Sequence, residues 1–141
     1  MRGHTLVELT FVLLLVGVAA SSVAPTARQA RDWAAVAAAR EAVVGLLVEA
    51  RQAAIEAGSG SAHFSTMTGV VQVSSAGTML RRVDLTAEFG VSLELSGARS
   101  EVELRYDPLG LGRMASQTVV VRRGRAVTAL TVSAYGRVSR R

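Results

Sequence analysis

Cysteine and lysine are both absent from the 141 residues. Without cysteine there are no disulfides and no thiolate metal sites, and the chain can fold in an oxidising or a reducing compartment. Without lysine there is no Walker-type phosphate loop and no Schiff-base chemistry, since each needs a primary amine. All 16 basic residues are arginine. Aromatic residues make up 4% of the chain, too few for a platform that stacks single-stranded nucleic acid. Only two histidines occur, His4 and His63, and no second metal ligand stands near His63, which reads as structural. No serine occupies a Gly-x-Ser-x-Gly elbow. Glu101 and Glu103 share one face of a strand, but it is the polar face, where carboxylates meet solvent. No constellation supports an enzyme, and no cofactor is implied.

What the chain does have is unevenly placed. The formal net charge is +5, and it comes from the C-terminal end. Residues 1–27 balance Arg2 against Glu8, residues 28–104 are slightly acidic, and residues 105–141 hold eight arginines against Asp107 alone. Half of the residues are hydrophobic, a composition that gives a chain of this length one modest core.

The most continuous apolar run is N-terminal. From Leu9 to Ala20 only Thr10 is polar, and Thr5 to Ala24 supplies about the 20 residues that cross a bilayer. Arg2 on the short leading side would hold that end in the cytoplasm. A secretory signal cut near Val18-Ala19-Ala20, or an uncut anchor, would also read this way. Neither accounts for Glu8, a carboxylate inside the apolar run whose placement costs about 2.5–3.5 kcal/mol at a membrane centre and calls for a positive partner there.

Gly3 followed by His4-Thr5-Leu6-Val7-Glu8-Leu9 resembles the processing signal of type IV pilins and type II secretion pseudopilins. The resemblance implies cleavage after Gly3 by a prepilin peptidase and methylation of the new N-terminal amine at His4, where phenylalanine or methionine is usual. It also implies that Glu8, fifth in the mature chain, pairs with the amine of a neighbouring subunit, and that Pro25 is the helix-kinking proline of the family. The chain is then a single-pass inner-membrane protein, with its head in the periplasm or outside and other pilins or pseudopilins as partners in a filament.

From Arg28 to Ala57 the sequence is rich in alanine and free of proline, which favours helix. Val36, Val43, Leu47, Ala50 and Ala54 recur at helical spacing as a buried stripe; Glu41, Gly45, Glu49, Gln52 and Glu56 form a polar one. Trp33 reads as interfacial or packed on a sheet. Gly58-Ser59-Gly60-Ser61 reads as the stop.

Beyond Gly60 the period becomes two. Val71 and Val73, then Val91, Leu93 and Leu95, then Val102, Leu104 and Tyr106 alternate with polar residues as half-buried strands do. Ala76-Gly77, Gly97-Ala98 and Arg123-Gly124 mark turns, residues 107–112 a proline- and glycine-bearing loop, and Gln117–Arg122 with Ala126–Ser133 a hairpin. The reading is an α+β fold: a long N-terminal α-helix, half transmembrane and half amphipathic, packed on an antiparallel β-sheet or sandwich head of about seven strands. In segments this gives a leader at 1–3, a membrane and assembly helix at 4–24, an amphipathic helix at 25–57 and a β-rich head at 58–141.

The loop, the two strands and the closing Tyr135-Gly136-Arg137-Val138 are similar to the GspH/FimT type, which covers the minor pseudopilin H of type II secretion and a minor pilin of type IV pili. Some pilus members bind DNA through a C-terminal Gly-Arg-x-Arg motif. Here Gly136 and Arg137 match it, Ser139 replaces the second arginine, and Arg140 and Arg141 follow. Arg122, Arg123, Arg125, Arg137, Arg140 and Arg141 are therefore candidate phosphate ligands if the last strands bring them to one surface. The alternatives are an acidic protein partner, or protection of an exposed sheet edge. The resemblance implies a minor pseudopilin of a type II secretion system, or else a minor type IV pilin that contacts DNA or aids pilus assembly.

Overall fold

A computed structural model of the chain describes residues 6–140, the side chains of 20–25 excepted. Gly3, His4 and Arg141 lie outside the described residues, as does the side chain of Pro25.

One helix, α1 (Leu6–Ala57), accounts for 52 residues, about 78 Å at 1.5 Å per residue. It continues through position 25 without a break. Among the described residues no helix is long and apolar enough to cross a membrane. The exposed apolar stretch 6–19 rises only about 21 Å, against about 30 Å of hydrocarbon. The expected span from Thr5 to Ala24 needs residues outside that stretch.

The second half of α1 carries the core. Val36, Ala39, Val43, Leu46, Leu47, Ala50, Ala53 and Ala54 are buried, a spacing of three and four that keeps one face inward. Each of the larger side chains stabilises the fold by about 1.5–3 kcal/mol through burial. All five residues of the expected buried stripe are on this face. Trp33 remains about half exposed.

Two antiparallel four-stranded sheets receive that face. The first has the order β3-β2-β1-β5, built from β1 (Gly60–Ser65), β2 (Val70–Ser75), β3 (Thr78–Asp84) and β5 (Glu101–Tyr106). The second has the order β4-β6-β7-β8, built from β4 (Ser92–Leu95), β6 (Gln117–Arg123), β7 (Ala126–Val132) and β8 (Val138–Arg140). A short helix, α2 (Leu85–Phe89), leads from the first sheet to the second; the Asp84 carboxylate caps it by accepting from the Ala87 N–H. The helix and both sheets share one core, with Phe64, Val71, Val73, Leu104, Val119, Val121 and Leu130 at its centre.

Three differences from the sequence reading have physical causes. Gly60 is not part of the helix stop but the first residue of β1. A Cβ at Gly60 would overlap the carbonyl oxygen of Ala50, so only glycine lets the strand pass this close to the helix. Strand β3 shows no alternation because it is exposed along almost its whole length; unlike the edge strands β4 and β5, it lays almost none of its side chains on the core. Strand β8 is three residues long and too short to register a period.

Candidate assembly and anion-binding surfaces

Two surfaces follow from the fold. The first is the free end of α1. Leu6, Val7, Leu9, Phe11, Leu13, Leu14 and Val18 are each more than half exposed, because the head covers only the far half of the helix. Such a run of apolar side chains in water would cost far more than scattered surface leucines do, so this half is built for an apolar environment or for other helices. Glu8 lies in its first turn, where a carboxylate complements the N-terminal pole of the helix dipole.

The second is the set of C-terminal arginines. Their strands do pair, Gln117 to Arg123 against Ala126 to Val132 and then Val138 to Arg140, but pairing does not gather the side chains. Residues opposite one another on neighbouring strands share a face. Arg122 lies opposite exposed Ser92 on the outer face and meets Glu94 at 3.2 Å. Arg123 lies opposite buried Ala126 on the helix side. There it reaches Asp32 of α1 at 3.0 Å and donates to the Phe89 carbonyl at 2.6 Å. Arg140 lies opposite buried Leu130 and meets Glu41 of α1 at 3.0 Å. Arg125 sits in the β6–β7 turn and Arg137 beside the far end of β7, about 20 Å away by strand rise. Neither has an acidic partner among the described residues.

The polar stripe of α1 is thereby only partly a solvated face. Glu41 bridges Arg40 and Arg140, and Glu49 reaches Arg81 of β3 at 3.5 Å. Nothing in the sequence marks the pairing of Asp32 with Arg123, 91 positions away.

At the corner where the sheets approach each other, the loop after β5 is held by one carboxylate. Asp107 accepts from the Leu109 and Leu111 N–H groups at 3.0 and 2.9 Å and from Arg113 at 3.0 Å. The Leu111 amide bond, with Arg113 and Leu109 adding to it against some desolvation, holds the Asp107 carboxyl below its usual range. This loop sets Gly110 against Arg51 of α1 and Gly112 against the backbone of Gly136. Gly136 has φ +82°, and a Cβ there would lie 2.7 Å from Tyr106 Cε1, so the backbone closes on the buried Tyr106 ring only because the residue is glycine. Burial pushes the Tyr106 phenol up, the charge of Arg51 opposing it.

The remaining candidates are modest. His63 stands 3.6 Å from Glu101, and no group of metal ligands occurs among the described residues. Glu101 and Glu103 are both exposed; the hydrogen bond from Arg105 at 2.6 Å holds the Glu103 carboxyl low.

No protein-family profile and no curated protein matches the sequence. The fold is similar to two crystal structures of the type IV minor pilin FimU from Pseudomonas aeruginosa strain PAO1. In one crystal form the TM-score is 0.60 at 17% identity, with 75% of this chain and 87% of FimU aligned. In the other it is 0.57 at 17%, with 74% and 90% aligned. The chain has a type IV pilin-like fold.

Proposed function

We propose that this chain is a minor, GspH/FimT-type pilin-like subunit that enters an envelope filament through the free half of α1. The observation that carries the reading is the exposed apolar run of residues 6–19, with Glu8 in its first turn, on a helix whose other half is the backbone of a pilin-like head. A fold of this kind is consistent with a structural role rather than catalysis. On this reading a prepilin peptidase cuts after Gly3, the amine of His4 is methylated, and the helix waits in the inner membrane with the head outside until assembly. Glu8 then pairs with the amine of a neighbour; leaving either charge buried alone would be expensive, so pairing selects the correct register.

We favour a type II secretion filament over a pilus that takes up DNA; a minor type IV pilin that aids pilus assembly without contacting DNA is the second reading, and the likeness to FimU supports it. The support is the internal use of the arginines. Arg122, Arg123 and Arg140 spend their charge on Glu94, Asp32 and Glu41, which interrupts, among the described residues, the cationic track that a phosphate backbone would need.

The test is Glu8→Ala in the native host, with membrane fractionation and immunoprecipitation of filament subunits. The variant is expected in the inner membrane at normal amounts and absent from filaments. Incorporation at the native level would remove the basis of the proposal.

A further inference from the structure

A groove of about 370 Å³ runs between α1 and the turn that precedes β8. Its floor and walls are Leu47 and Val48 of α1, Tyr106 at the end of β5, and Tyr135 in the turn; Arg51 and Arg137 stand in it as well. Val48 is 61% and Tyr135 78% exposed, so both apolar surfaces face water in the isolated chain. Neither guanidinium has an acidic partner among the described residues, whereas seven other arginines of the head and helix are paired. Unpaired arginines elsewhere, such as Arg82, Arg99 and Arg125, do not line this groove. Two cations beside apolar surface in one concavity set a specific complement: a carboxylate next to an aliphatic or aromatic side chain.

The groove is also held in shape before anything binds. The Ser133 N–H donates to the Arg137 carbonyl at 2.9 Å, the Gly136 N–H to the Ser133 carbonyl at 2.8 Å, and the Arg137 N–H to the Ser133 hydroxyl at 3.1 Å. On the opposite side the Asp107-braced loop packs Gly110 against Arg51. A backbone wall that is already ordered lowers the cost of docking a segment against it.

We propose that this groove docks an acidic, apolar-anchored peptide segment of another protein, its carboxylates held by Arg51 and Arg137 and its apolar side chain laid between Val48 and Tyr135. A neighbouring filament subunit is the source of that segment, a statement that rests on the filament reading; the chemistry of the groove does not. A nucleic acid fits less well, since two guanidiniums in a half-apolar concavity give no track along which successive phosphates are neutralised.

The experiment uses the full chain in neutral detergent micelles. The probe is a fluorescent peptide with glutamates on either side of a leucine-phenylalanine pair, compared with its glutamine counterpart and with a short DNA duplex. The acidic peptide is expected to bind and the glutamine peptide to bind about tenfold more weakly or not at all. An Arg51→Gln/Arg137→Gln variant is expected to lose the discrimination between them. An Arg51→Lys/Arg137→Lys variant is expected to keep part of it, and near-ultraviolet circular dichroism to report the same fold in all. Equal binding of the two peptides, no binding of either, or native binding by the glutamine variant would each overturn the proposal. Displacement of the acidic peptide by tighter, arginine-dependent duplex binding would replace it with a phosphate site. The outcome is independent of Glu8, so a filament subunit with an inert groove and a docking protein outside any filament remain distinguishable.

Discussion

Asp107 does three jobs with one carboxylate, accepting from two backbone amides and one guanidinium, and through the loop it braces it reaches Gly110 and Arg51. Its pKa is depressed in the folded chain below the ordinary 3.8. The contribution to stability is therefore complete above about pH 5, where the unfolded carboxyl is also ionised, and is lost as pH falls through the unfolded and then the lower folded value. Native protein should show a drop in unfolding midpoint below about pH 5 that an Asp107→Asn variant, already weaker at neutral pH, shows to a smaller extent. Parallel pH profiles for the two would contradict the assignment. The residue was visible in the sequence as the first of a proline-glycine loop, a position where aspartate commonly accepts backbone N–H groups. Its partners were legible in type, not in identity. Gly136 illustrates the limit: the sequence marked it as part of a Gly-Arg motif, while its reason for being glycine is the Tyr106 ring, 30 positions earlier in the chain.

At the scale of elements, α1 and β1 are joined by a short turn and pressed together at Gly60. A side chain there would meet the Ala50 carbonyl and the Ala54 amide, groups of the helix backbone that cannot swing away as a side-chain tip can. Gly60→Ala is expected to destabilise the head by about 3 kcal/mol, the upper end of overpacking costs, as read by denaturant unfolding. A change under about 0.5 kcal/mol would mean that helix and strand separate more easily than their packing implies. The buried stripe of α1 and the strands β2, β4 and β5 were readable because each has a wet face and a dry face, which forces a period; β6 and β7 were readable as a hairpin from the turn at Arg123-Gly124 between them. Strand β3 and α2 were not. The first is an exposed edge, and the second is a five-residue turn of helix set by the Asp84 cap and the left-handed Gly90, with too few residues to repeat anything.

At the scale of the whole molecule, the chain is a core-bearing head and a length of helix whose described side chains before Asp32 are exposed. Residues 6–19 and 26–31 are exposed throughout, and the core begins at Val36. A chain beginning at residue 28 is therefore expected to unfold at the same midpoint as the full chain in detergent, within about 0.5 kcal/mol, while losing detergent association. A large loss of stability would show that the N-terminal half supports the head. If the chain assembles as proposed, this separation would let the helix change its surroundings without disturbing the core.

The sequence by itself determined the α+β class, the order of helix before strands, the inward face of α1 and the turns at Ala76-Gly77 and Gly97-Ala98, because each rests on local periodicity or on residues within a few positions. It also placed Glu8 inside an apolar run, since that contradiction needs no third dimension. Only the tertiary structure decided where the arginines spend their charge. Arg122, Arg123 and Arg140 stand close together in sequence, yet strand alternation sends the first to the outer face and the other two toward Asp32 and Glu41 of the helix. It likewise brought Arg51 and Arg137 into one groove. Coulombic partners are chosen by distance through space, and a linear pattern carries no record of that distance.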